Sequence, residues 1–151
     1  MMRPTAWRVQ GFGIGQRLID SNLPGAPIND NDHKWEEASD ALDPAVMRAT
    51  VGDDLEFIRE LIEEFVPAAR SNIAEIHAAV GSAQAERVRL TSHKLKGSSG
   101  LVGAHRLVEV CRKLEAAGDA GDWSAIGALA PRLDRLMQEI EVAAAPYLQQ
   151  T

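Results

Sequence analysis

One imidazole, two cations and two residues without side chains share a single stripe of an expected helix: Arg89, His93, Lys96, Gly97 and Gly100. They belong to the run Thr91-Ser92-His93-Lys94-Leu95-Lys96-Gly97-Ser98-Ser99-Gly100-Leu101-Val102-Gly103-Ala104. The surrounding segment, about 83–102, has helical periodicity, because Val88, Ser92, Leu95, Ser99 and Val102 recur at spacings of three and four as an inward stripe. Glycine inside a helix costs about 1 kcal/mol relative to alanine. Two of them close to His93 is a choice against helix stability, and such choices gather at functional positions. Gly97 stands one turn after His93 and removes the neighbour that would crowd the ring. Lys96 stands within reach of the same spot. An ammonium about 4 Å from a phosphoryl oxygen contributes up to about 4 kcal/mol at an effective dielectric near 20, and less when exposed. A solitary histidine on a helix is usually an ordinary surface residue. An accessible imidazole beside a cation and bare backbone suits a residue that carries a phosphoryl group.

The string His93-Lys94-Leu95-Lys96-Gly97-Ser98-Ser99, followed by Gly103-Ala104, resembles the signature of histidine-containing phosphotransfer (HPt) domains. The resemblance extends over about 42–148. It implies that His93 is the phospho-accepting histidine, that Lys96 screens the phosphoryl charge and that Gly97 provides clearance. Ser98 or Ser99 would hydrogen-bond near the ring or pack against the next helix. The implied role is a phosphorelay intermediate in two-component signalling. His93 would take the group from the aspartyl phosphate of one response-regulator receiver domain and pass it to another, downstream of a hybrid histidine kinase. The receiver would supply Mg²⁺ and the acidic pocket, and this chain would need no cofactor or metal of its own. It would be a phosphocarrier rather than an enzyme, with no ATP site.

Helices must position these residues. The composition is 45% hydrophobic and only 5% aromatic, which points to helices packed on helices. Asp43-Pro44 starts a short helix over about 44–50 and Gly52 ends it. A long second helix, about 54–80, carries the seam Leu55, Ile58, Ile62, Phe65, Ala69, Ile73, Ile76 and Val80, with Pro67 expected to bend it. Gly81-Ser82 reads as a stop and a fresh N-cap. The helix that carries His93 follows. A fourth begins near Gly103-Ala104 and runs to about Ala117, with Gly118 closing it and Leu107, Val110, Cys111 and Leu114 facing inward. The last carries Trp123, Ile126, Leu129, Leu133, Leu136, Ile140, Ala143 and Tyr147, with Pro131 able to kink it. Links this short favour antiparallel neighbours. The expected fold is all-α: an antiparallel up-down four-helix bundle with a short N-terminal helix (41–151) and a flexible N-terminal extension (1–40).

The antiparallel pairing brings in one more residue. His93 lies eleven residues before Ala104 and Glu115 eleven after it. A hairpin centred there sets the two side by side, so Glu115 is the candidate to hold Nδ1–H of His93, fix the tautomer and leave Nε2 free as nucleophile. HPt-like domains often have Glu or Gln at the matching place, so the resemblance supports this assignment. Leu90 and the first short helix are candidates for an apolar docking rim. Arg89, Lys94, Arg112 and Lys113 are candidates for positive potential.

A net charge of −6 disfavours non-specific nucleic-acid binding. A single cysteine, Cys111, excludes an intramolecular disulfide and reads as a small core residue. No apolar run approaches the roughly 20 residues that span a bilayer, and no signal-peptide core is present. The default is a soluble, cytoplasmic monomer without membrane contact. His33, His77 and His105 are not spaced for metal binding, and the glycine-rich string at 11–15 lacks the rest of a nucleotide-binding motif. Two further readings stay open: a non-catalytic helical adaptor for receiver domains, and the phospho-accepting module of a split chemotaxis-type kinase.

Overall fold

The computed structural model of the chain describes residues 41–149; the expected extension over 1–40, with its glycine-rich string, lies outside the described residues. Five helices follow one another: α1 (Pro44–Val51), α2 (Leu55–Gly81), α3 (Ala85–Leu101), α4 (His105–Ala120) and α5 (Trp123–Leu148). There is no strand among the described residues.

Three aspartates start three of these helices by accepting hydrogen bonds from otherwise orphaned backbone N–H groups. Asp43 takes the N–H of Ala45 at 3.0 Å, with Pro44 in the first turn. Asp54 takes that of Glu56 at 2.9 Å, and Asp122 that of Ala125 at 3.1 Å. The join between α2 and α3 differs from the expectation. Ser82 does not cap α3, because its hydroxyl turns back and donates to the carbonyl of Ala78 at 2.8 Å. Ala83 makes the turn at φ 54°, and Gln84 opens α3 with no side-chain cap. Helix α4 also overruns its expected end: Gly118 lies buried inside it, and the left-handed residue that stops it is Gly121, at φ 66°. Helices α2 and α5 continue through Pro67 and Pro131. Each proline forgoes one backbone donor, while the apolar face of the helix stays anchored in the core.

The four long helices share one core. Helix α2 packs on α3 and α5, and α4 packs on the same two, which closes a four-membered ring. Two ion pairs give the register of α2 and α5: Arg70 meets Glu141, and further along α2, His77 meets Asp134 at 3.0 Å. As one helix advances the other recedes, so the two are antiparallel. Ile62, Leu95, Leu114 and Ile126 are among the fully buried side chains, each contributing about 1.5–3 kcal/mol through removal from water. The expected seams hold along their length and fail at their first residues. Leu55 and Trp123 are 56% and 38% exposed, because each opens its helix at the end of the bundle, where fewer layers cover it. Among the described residues no helix is long and apolar enough to cross a membrane.

Helix α1 closes one end of the bundle, at the turn between α3 and α4. The N–H of Asp43 donates to the carbonyl of Val102 at 3.1 Å, and the Asp43 carboxylate pairs with His105 Nε2 at 2.9 Å. The Thr50 hydroxyl donates to the carbonyl of Leu101 at 2.9 Å. Gly103 makes the turn at φ 70°, and a Cβ there would collide with the side chain of Asp43. Both backbone angle and space require glycine at that position.

Candidate functional site

The face of α3 turned to the core carries Val88, Ser92, Leu95 and Ser99, all buried, and Val102 is buried just beyond the helix. With that stripe inside, helical geometry forces His93 outward. Its side chain is 66% exposed. On α4, Leu107, Val110, Cys111 and Leu114 turn inward, which places Glu115 at the seam between the two helices.

The imidazole Nδ1 lies 2.9 Å from Glu115 Oε2. An ionised carboxylate can only accept, so Nδ1 carries a proton, and in the neutral ring Nε2 then presents its lone pair. Nε2 makes no hydrogen bond to any described residue, and it belongs to a largely exposed ring. The second carboxylate oxygen of Glu115 lies 2.7 Å from Lys96 Nζ. One carboxylate thus ties the ring and the ammonium together. The Lys96 ammonium, bonded to Glu115, holds its carboxyl below the ordinary range; partial burial opposes this shift and the His93 contact adds to it.

That depression has a sign for stability. A carboxyl whose folded-state pKa lies below its unfolded value contributes stability in full above the ordinary value of 4.5. The contribution is lost as pH falls through the folded value. Asp43 moves the same way, chiefly through its hydrogen bond with His105. Glu115→Gln is therefore expected to lose less melting temperature than wild type as pH falls from 5 to 3. Thermal melts at a series of pH values check this, and parallel acid limbs for the two proteins would contradict it.

The remaining expected residues separate into those at the ring and those elsewhere. Gly97 is exposed, and a Cβ built on it meets nothing within 4 Å, so the space beside His93 is open. Neither serine bonds the imidazole. The Ser98 hydroxyl donates to the carbonyl of Leu95 at 3.2 Å, and Ser99 is fully buried with a hydroxyl that has no partner among the described residues. The small size of Ser99 serves packing. Arg89 and Arg112 are engaged by carboxylates of their own helices, Glu86 and Glu109. Lys94 and Lys113 are exposed. Leu90 is 53% exposed, as a rim residue would be. Cys111 is buried, and burial pushes its thiol up to about 12, which leaves it inert. His77 and His105 each pair with an aspartate, and no group able to hold a metal ion occurs among the described residues. Two contacts went unforeseen: the latch of His105 on Asp43, and the bond of Lys96 to Glu115. The second had a signal, since Lys96 lies on the stripe of His93 and its long stem reaches whatever carboxylate faces the ring.

No curated protein matches the chain. Among solved structures, histidine-containing phosphotransfer protein B (HptB) from Pseudomonas aeruginosa PAO1 is similar, with a TM-score of 0.67 and 23% sequence identity. The match covers 74% of this chain and 97% of that one, and it speaks to the fold. The family model for the Hpt domain matches residues 60–143, more than half of the 151 residues and inclusive of both His93 and Glu115. The all-helical bundle, the histidine motif on α3 and this match lead to one conclusion: the chain belongs to the Hpt domain family.

Proposed function

We propose that this chain is a phosphorelay intermediate in which His93 carries a phosphoryl group between response-regulator receiver domains. Histidine phosphotransfer in two-component signalling is the role of its family. The observation that carries the residue assignment is an outward imidazole whose Nδ1 is held 2.9 Å from Glu115 while Nε2 is unoccupied.

The chemistry follows from that arrangement. Nε2 attacks phosphorus of a receiver's aspartyl phosphate; the N–P bond forms as the P–O bond breaks, and that electron pair returns to the receiver's carboxylate. The Nδ1 proton stays in place. The ring becomes a phosphoimidazolium, and its new positive charge faces Glu115. Lys96 keeps two donors free beyond its bond to Glu115, and these serve the phosphoryl oxygens. Gly97 leaves room for the incoming domain. The receiver brings Mg²⁺ and the acidic pocket; this chain contributes the nucleophile and no ATP site. It acts as a monomer, because one exposed histidine suffices for the exchange.

Incubation with a prephosphorylated receiver domain tests the proposal. The expected result is transfer of label to this chain in an acid-labile, base-stable form, with phosphorus on Nε2 by NMR. Label confined to the receiver, with a stable complex between the two proteins, would instead support an adaptor. Label accepted only from a separate ATP-charged kinase would support the detached kinase module.

A further inference from the structure

We propose that the receiver seats on the C-terminal half of α3, over Gly97, Gly100 and Leu101, and that Gly100 is a second clearance position for it. This rests on the phosphocarrier reading and adds to it a direction of approach and a residue that sets partner access.

The described glycines differ in what requires them: Gly52 and Gly121 turn left-handed in open space, and Gly81 and Gly127 stand in open space without that turn. Gly103 and Gly118 are required by the protein itself, since an added Cβ would strike neighbouring atoms. Gly97 and Gly100 are not: both lie inside α3, neither has a left-handed φ, and a Cβ on either meets nothing within 4 Å. Glycine is the least helix-favouring residue short of proline. Two consecutive turns of α3 therefore forgo helix stability where nothing inside the molecule asks for it. What the missing side chains leave is bare backbone open to a visiting surface.

That bareness lies on one side of the histidine only. Two turns before His93 stands Glu86, locked to Arg89. Two turns after it stands Gly100, followed by Leu101 at 51% exposure. The bare side is also braced, because the Thr50 hydroxyl of α1 holds the carbonyl of Leu101. The same end of the bundle presents Leu55 and Phe57, 56% and 51% exposed, at the start of α2. A protein surface laid from His93 towards that end meets bare backbone and the apolar side chains of Leu101, Leu55 and Phe57, while one laid the other way meets Leu90 and then the Glu86–Arg89 ion pair.

The test uses Gly100→Trp and Glu86→Trp, substitutions equally far along α3 on either side of His93. Each full-length protein is treated with phosphoramidate, a small donor that forms the N–P bond at His93 and releases ammonia. Each is then mixed with a prephosphorylated receiver domain that labels wild type. Gly100→Trp should take phosphate from phosphoramidate within twofold of the wild-type rate and melt no lower than wild type. Its transfer from the receiver should fall at least tenfold, with that of Glu86→Trp within twofold of wild type. Undiminished transfer to Gly100→Trp, or an equal loss in both variants, would overturn the proposed direction of docking. Failure of phosphoramidate to label wild-type His93 would overturn the phosphocarrier reading instead.

Discussion

His93→Gln is expected to abolish acid-labile labelling and leave the fold intact. The carboxamide of glutamine fills much of the imidazole's volume but has no nitrogen lone pair with which to attack phosphorus. The loss is of the reaction itself and not of a fraction of its rate. The structural cost is small. The side chain is 66% exposed, and its one hydrogen bond joins it to a carboxylate that Lys96 also holds. Exposed ion pairs and hydrogen bonds of this kind contribute about 0.2–1 kcal/mol, so the melting temperature should fall by only a few degrees. Receiver binding, measured by calorimetry, should stay within a few-fold, because the docking face keeps its backbone and its apolar rim. Wild type labelled, variant unlabelled and both folded is the pattern of a carrier. Equal label on the two proteins would place the phosphoryl group on some other residue and end the assignment of His93.

Much of this site is legible in the sequence, because a helical period sorts residues into faces before any contact is known. The inward stripe from Val88 to Val102 fixes which way His93 points. Glu115 can be found by counting, since an antiparallel hairpin centred on Ala104 sets equal distances face to face. What periodicity cannot supply is the choice of a flexible side chain among partners. Lys96 has four rotatable bonds, and only the folded seam shows that its ammonium rests on Glu115. The serines illustrate a similar limit: the motif puts Ser98 and Ser99 close to the ring in sequence, yet α3's rotation turns Ser99 into the core. Chain ends mislead in another way. Leu55 and Trp123 obey the period of their helices, but the period does not know where the bundle stops covering them.

Gly118 is the instructive case, because glycine has two uses and sequence alone does not say which one applies. It reads as a helix terminator and is in fact a point of close approach between α3 and α4. A Cβ there would lie 2.9 Å from the carbonyl oxygen of Ala85, 2.9 Å from the nitrogen of Arg89 and 3.1 Å from its Cα. All three are backbone atoms, so no rotamer change relieves the overlap and the helices must part. Gly118→Val adds a branched side chain at that contact. Overpacking typically costs about 1–3 kcal/mol, and a rigid backbone neighbour puts this substitution at the upper end. For a domain of this size roughly 3 kcal/mol corresponds to a fall of about 10–20 °C in melting temperature. The effect reaches the histidine. Arg89 stands one turn before His93, and Gly118 stands almost one turn after Glu115, so prising the helices apart at this level lengthens the 2.9 Å bond that orients the ring. The expected result is a destabilised protein whose His93 ring nitrogens, followed by ¹⁵N NMR, lose the single tautomer of wild type. Gly127→Ala is the control, since a Cβ at that position in α5 meets nothing within 4 Å and should stabilise slightly through helix propensity. A Gly118→Val protein that melts with wild type would show that α3 and α4 can separate freely, and the close contact would then have no part in orienting the ring.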